Sequence, residues 1–143
     1  MSGGPVGVAF DGANIWVTDF YGTVTELRAG DGVTIATVTG LGSAFGIAFD
    51  GTNLWVTSSE GQNSVTKILA SNASIVGTYL VGTNPHEVAF DGGNVWVANS
   101  FDKTVTELRA SDGATVGTFA TGGHWGQPFI GSGVRWHSPL GGK

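Results

Sequence analysis

The residues best suited to acid–base or metal chemistry are three histidines, one of which has a carboxylate beside it. His86 precedes Glu87, His124 precedes Trp125, and His137 stands alone. An imidazole next to a carboxylate can transfer protons or bind a metal ion near neutral pH. A histidine in a loop is more often a simple polar residue, and we favour that interpretation for His86. The histidines lack the spacing of a metal-binding motif, so we predict no metal site.

Covalent catalysis finds little support in the sequence. Cysteine is absent, which excludes thiolate nucleophiles, disulfides and cysteine-based zinc sites. No Gly-x-Ser-x-Gly segment precedes a helix-like run, and the many serines and threonines fall in strand-like runs without a neighbouring base. We therefore predict no catalytic residues and no cofactor, and we favour a binding protein over an enzyme.

The charge and composition exclude several classes of partner. The 143 residues carry eleven acidic and six basic side chains, a net charge of −5. No cluster of lysine and arginine can follow a phosphate backbone, so nucleic acid is not a predicted partner. No apolar run approaches the roughly 20 residues that a membrane-spanning helix needs. Low charge and high threonine and glycine content favour an extracytoplasmic location, although residues 1–5 contain no secretion signal.

The elements that must position these side chains are indicated by an internal repeat. The segment AFDGANIWV at 9–17 returns as AFDGTNLWV at 48–56 and as AFDGGNVWV at 89–97. A second segment, TVTELRA at 23–29, returns as SVTKILA at 64–70 and unchanged at 104–110. The repeat length of about 40 residues is typical of one supersecondary unit in a repeat protein. We infer three copies of one structural unit.

Each unit contains four short runs of strand-forming residues separated by turn signals. In the first copy the predicted strands are 6–10, 15–18, 23–28 and 34–39, and Asp-Gly sequences form tight turns between strands. Four antiparallel strands per unit of about 40 residues describe a β-propeller blade. We predict an all-β domain over 1–128, with blades at about 5–43, 44–84 and 85–127. The repeated tryptophans are expected to be buried between blades.

These motifs resemble the superfamily of bacterial β-propellers that includes the YVTN-type and NHL-type repeat proteins and the virginiamycin B lyase family. The resemblance covers residues 5 to about 128 and implies a fold more than a function. The lyases imply a glutamate, commonly followed by histidine, after the second strand to bind Mg²⁺ and move a proton. Of the corresponding pairs, only the first keeps a carboxylate: Asp19-Phe20, Ser58-Ser59 and Asn99-Ser100. A Mg²⁺-dependent lyase, with Glu60 or Glu87 as a further ligand, is therefore the alternative function.

A ligand is expected on the face where loops enter the first strand and leave the second strand of each blade. The repeat varies most at these positions, and loops on a rigid scaffold are where binding residues collect. The candidate ligand is a small molecule, a glycan or a protein, and the indole of Trp125 can stack on a sugar. The candidate ligand-binding residues are Asp19, Tyr21, Ser58, Glu60, His86, Glu87, Asn99, Phe101, His124 and Trp125.

Three blades are too few for a closed ring, because propellers use about 4 to 8. Two copies related by a twofold axis would give six blades, so a homodimer is the favoured partner, and a piece of a larger ring is the alternative. Residues 129–143 do not repeat the blade pattern and are expected either to add one strand at 134–137 or to be disordered. The charged residues of the third strands, such as Glu26 and Lys67, are expected to face solvent.

Overall fold

The computed structural model describes residues 3–59 and 61–121. All of its regular elements are strands, so no described helix is long and apolar enough to cross a membrane. The predicted tail, 129–143, and His137 lie outside the described residues. The strands are β1 Pro5–Phe10, β2 Asn14–Asp19, β3 Thr23–Arg28, β4 Thr34–Val38, β5 Ser43–Phe49, β6 Asn53–Ser59, β7 Ser64–Leu69, β8 Ser74–Leu80, β9 Pro85–Phe90, β10 Asn94–Asn99, β11 Thr104–Arg109 and β12 Thr115–Ala120.

The twelve strands form three four-stranded antiparallel sheets, each built from four consecutive strands. The all-β prediction of three four-stranded blades is confirmed. The first strands β1, β5 and β9 approach one another across the sheets and form the inner edge of the arc. The second strand of the first blade is one residue longer at each end than predicted, because Asn14 pairs with Arg28 and Asp19 pairs with Thr23.

The repeated Asp-Gly-x-Asn-x-Trp motif forms the same turn in every blade. In the first blade, Asp11 Oδ1 accepts hydrogen bonds from the backbone N–H groups of Ala13 and Asn14 at 2.8 and 2.6 Å. Its Oδ2 accepts a third from the Trp16 indole at 2.8 Å. Gly12 has a φ of 95°, which a residue with a Cβ rarely adopts. One carboxylate thus closes the turn and orients the tryptophan, and Asp50 and Asp91 repeat the arrangement.

Two hydrophobic cores lie between adjacent sheets. In the first, Trp16 packs on the second sheet, and in the second, Trp55 packs on the third sheet. Both indoles are fully buried, as expected for residues between blades. Trp96 occupies the same position in the third blade but is only half-buried, since no described sheet covers it. The arc therefore ends in a sheet face of the same kind as those inside it.

Two of the third-strand charged residues, Glu26 and Lys67, do not face solvent as expected, whereas Arg28 and Arg109 are exposed. Glu26 is 5% exposed and accepts a hydrogen bond from the Asn14 side-chain amide at 2.8 Å. Lys67 is 6% exposed, and its Nζ donates to the carbonyl of Ala110 at 2.9 Å and lies 5.2 Å from the Trp55 ring centroid. The expectation was wrong because these side chains point toward the next blade, where a buried charge needs polar partners.

Candidate functional site

A groove lies along the inner edge of the arc. Its volume is about 380 Å³, a size that accommodates a small ligand. The groove opens toward the side where the axis of a propeller would lie, because the first strands of all three blades form its wall. The residues lining it are Val6, Gly7, Val8, Phe45, Gly46, Ile47, His86 and Glu87.

Four aromatic side chains extend from the first blade to the third at one end of this groove. Phe45 stacks on the His86 imidazole, with ring centroids 4.3 Å apart and an interplanar angle of 18°. Phe20 meets Phe45 edge-on at 5.6 Å, and Tyr21 lies 6.0 Å from Phe20. We call Tyr21, Phe20, Phe45 and His86 the aromatic row. Tyr21 is 62% and Phe20 is 38% exposed, so the first-blade end of the row is open to solvent.

Three candidates, Asp19, Ser58 and Asn99, lie at the ends of the second strands and are buried. Asp19 Oδ1 accepts hydrogen bonds from the N–H groups of Gly3 and Tyr21, at 3.2 and 2.8 Å. Asn99 accepts from the Gly82 N–H at 3.0 Å, while its amide donates to two threonine hydroxyls of β11. Ser58 is fully buried. Asp19 and Asn99 hold the neighbouring loops in place, whereas the buried Ser58 hydroxyl has no hydrogen-bond partner among the described residues.

The remaining candidates are distributed unevenly around the face. His86 and Glu87 belong to β9 itself, where His86 is half-buried in the aromatic row and Glu87 is exposed in the groove wall. Phe101 is 76% exposed on the third blade and makes no ring contact within the row. Three candidates lie outside the described residues: Glu60, His124 and Trp125.

A polar contact between neighbouring inner strands was not predicted from the sequence. The Thr18 hydroxyl accepts a hydrogen bond from the Gly7 N–H at 2.8 Å and donates to the carbonyl of Phe45 in the next blade at 2.6 Å. Thr57 joins Gly46 to the carbonyl of His86 in the same way, at 2.9 and 2.7 Å. We call this contact the threonine clamp. The sequence does contain a signal for this contact. In the first two blades, a glycine stands three residues before Phe-Asp-Gly, and the second strand contains Trp-Val-Thr.

The described residues do not match a Mg²⁺ site of the lyase type, and the candidate ligand Glu60 lies outside them. Asp19 is buried, and its Oδ1 already accepts hydrogen bonds from two backbone N–H groups. Within 3–59 and 61–121, no three His, Asp or Glu side chains converge in a way that would hold a metal ion.

Three consecutive four-stranded sheets arranged around a common inner edge define an arc of a β-propeller. Among solved structures, the chain is similar to hydrazine synthase from Kuenenia stuttgartiensis, with 20% identity, a TM-score of 0.75, and coverage of 82% of this chain and 36% of that chain. It is also similar to the WD40 repeats of RRP9, with 14% identity, a TM-score of 0.71, and coverage of 81% and 38%. A third similar structure is Sqt1 from Saccharomyces cerevisiae, with 8% identity, a TM-score of 0.75, and coverage of 84% and 36%.

At these identities the likeness shows the fold alone. The chain spans between about a third and two fifths of the length of each of these propellers. No family model and no curated protein sequence matches the chain. The fold neighbours include a WD40-repeat propeller.

Proposed function

We propose that this chain is a binding module of the β-propeller class that contacts its ligand through the aromatic row. The blade motifs support placing it in the superfamily of bacterial propellers with YVTN-type and NHL-type repeats. The proposal does not include an enzymatic activity, since none of the candidate side chains within 3–59 and 61–121 forms an acid–base pair with a second reactive group. The observation that carries the proposal is the row itself.

The aromatic row has the properties of a carbohydrate-binding surface. Its rings combine broad apolar faces with a phenol hydroxyl on Tyr21 and ring nitrogens on His86. The C–H groups on one side of a pyranose can pack against such faces while the sugar hydroxyls bind the polar atoms. Because Phe20 and Phe45 fix each other edge-on, the surface is arranged before the ligand arrives, which lowers the entropic cost of binding.

A glycan array with purified protein tests this proposal. We expect Tyr21→Ala and Phe20→Ala each to reduce a positive array signal at least about tenfold, because each removes an exposed stacking surface. The matched control is Phe101→Ala, which removes an even more exposed ring from the third blade, outside the row.

Two results would count against the glycan proposal. The first is an array with no signal for the unaltered protein. The second is a signal that Phe101→Ala reduces as strongly as Tyr21→Ala, because binding would then not depend on the row. Circular dichroism of all variants distinguishes lost binding from lost folding.

We also propose that a second copy of the chain completes a six-bladed ring. Propellers contain about 4 to 8 blades, and twice the three sheets of this chain falls within that range. The support is the exposed apolar side chains on both end faces of the described arc, such as Val8 and Phe119. A homodimer would also enclose the groove, so that the inner strands of two copies surround one axial site.

A further inference from the structure

We call the packed interface between two adjacent blades a joint, and the described arc contains two of them. Each joint buries one face from each of its two blades, and the two end faces of the arc are equivalent to these faces. We call the side carrying the tryptophan the trailing face of a blade and the opposite side its leading face. On the leading face of the first blade, Val8 is 66% and Phe10 is 57% exposed, whereas the equivalent Val88 is 7% exposed inside the second joint. On the trailing face of the third blade, Phe119 is 47% exposed. Among the described sheets, neither end face has the partner that its internal equivalents have.

The trailing face of the third blade is already arranged for such a partner. Trp96 and Phe119 have ring centroids 5.8 Å apart at 31°, and the pair of buried Trp55 and partly buried Tyr79 has 5.7 Å and 31°. At the outer edge, Glu107 accepts a hydrogen bond from Asn94 at 2.6 Å, as Glu26 does from Asn14 inside the first joint. The apolar centre and the outer edge of this face thus match an internal joint.

The inner edge does not match. In both internal joints, a glycine and a threonine form the threonine clamp. A Cβ placed on Gly7 would lie 2.7 Å from the carbonyl oxygen of Phe45, and a Cβ on Gly46 would collide with the carbonyl of His86. Glycine is therefore required where the next blade approaches so closely.

At the equivalent positions the third blade has Glu87 for the glycine and Ala98 for the threonine. Ala98 has no hydroxyl to bind the carbonyl of the following inner strand. The Cβ of Glu87 occupies the space that this carbonyl would enter. A blade that follows the third blade can use the apolar centre and the outer edge of the joint but cannot form the clamp.

We propose that the leading face of a second copy docks on the trailing face of the third blade. The joint between the copies lacks the threonine clamp at its inner edge, because Glu87 and Ala98 stand at the clamp positions. This inference rests on the proposed closure of the ring by two copies. The ring then contains four clamped joints within the chains and two unclamped joints between them. The unclamped joints are the weakest contacts of the ring and are where the two copies separate.

Light scattering over a dilution series tests both the closure and the joint. We expect the unaltered protein to have twice the 14.6 kDa mass of one chain and to dissociate on dilution. In the double variant Glu87→Gly/Ala98→Thr, the dissociation constant should fall about tenfold or more, because each of two joints gains the hydrogen bonds of a clamp. Ala98→Thr alone is the matched control and should not tighten the dimer, because Glu87 still occupies the space.

The outcomes separate the two proposals. A dimer that the double variant does not tighten overturns the proposal of an unclamped joint and leaves the proposal of ring closure standing. A monomer that becomes a dimer only in the double variant supports the role of the clamp and overturns closure by the natural sequence. A monomer in both cases overturns both, while the glycan experiment still stands on its own. A dimer that persists in Val8→Lys overturns the docking of these faces, because a charge would then occupy the leading face without effect.

Discussion

At the scale of single residues, the carboxylate of the repeated turn performs two tasks that the sequence indicates only in part. The Asp-Gly pair predicts a tight turn. It does not show that the same carboxylate reaches the indole five positions later, because that contact depends on how β2, β6 and β10 leave the turn. The hydrogen bonds to Ala13, Asn14 and Trp16 explain why aspartate, rather than another turn-forming residue, stands in all three blades.

These turns should make the protein less stable in acid. The N–H of Asn94, the indole of Trp96 and the N–H of Gly93 lower the pKa of Asp91 below its usual 3.8. Burial raises the pKa of Asp11, but the hydrogen bonds from Trp16 and the turn outweigh it and the net shift is also downward. A carboxylate with a lowered folded-state pKa stabilises the fold above its unfolded pKa, and this contribution is lost as the pH falls through the folded pKa.

We therefore expect the urea midpoint to decrease as the pH is lowered from about 5 through 3.8 and below. In Asp91→Asn the decrease should be smaller, because the amide does not titrate. Equilibrium unfolding at a series of pH values measures both slopes. An identical slope in the variant would show that Asp91 does not contribute.

At the scale of strands and sheets, the four-strand pattern of each blade was predictable, but the contacts between blades were not. Alternation and turn residues locate strands within a few positions, since those signals are local. The positions of Thr18 and Thr57 inside the clamp depend on a neighbouring blade some 30 residues away in sequence, as the 27- and 29-residue separations of their hydrogen bonds show. The burial of Lys67 has the same origin.

Loss of a clamp within the chain should destabilise the fold. Thr57→Ala leaves the Gly46 N–H and the His86 carbonyl without their shared hydroxyl in a buried joint. We expect a loss of about 1 to 3 kcal/mol in the free energy of unfolding. Thr115→Ala, an exposed threonine of β12, is the matched control and should change stability by less than about 0.5 kcal/mol. Equal losses in the two variants would contradict a specific role for the clamp.

At the scale of the whole molecule, the fold could be predicted and the ligand could not. Three repeats with the same turn and tryptophan define the architecture without a structure. Of the candidate residues, the structure brings His86 and Tyr21 into the aromatic row, whereas Asp19 and Asn99 bind backbone. Sequence position places residues at an edge, but the direction of each side chain depends on bulges in the inner strands.

Ring closure by a second copy predicts that thermal stability depends on protein concentration. Association that occurs only between folded chains raises the melting temperature as the concentration rises. We expect this rise in the unaltered protein and its absence in Val8→Lys, measured by calorimetry at several concentrations. A melting temperature that does not change with concentration in the unaltered protein would contradict the proposed ring.

The aromatic row lies at one end of the inner strands, and this location affects the number of contacts a ligand can make. In a ring whose twofold axis coincides with the propeller axis, both rows open toward the same side. A polymer with repeated sugars that binds one row then holds its next unit near the second row at a high effective concentration. Its avidity would exceed the affinity of either row, whereas a monosaccharide would gain nothing from the second.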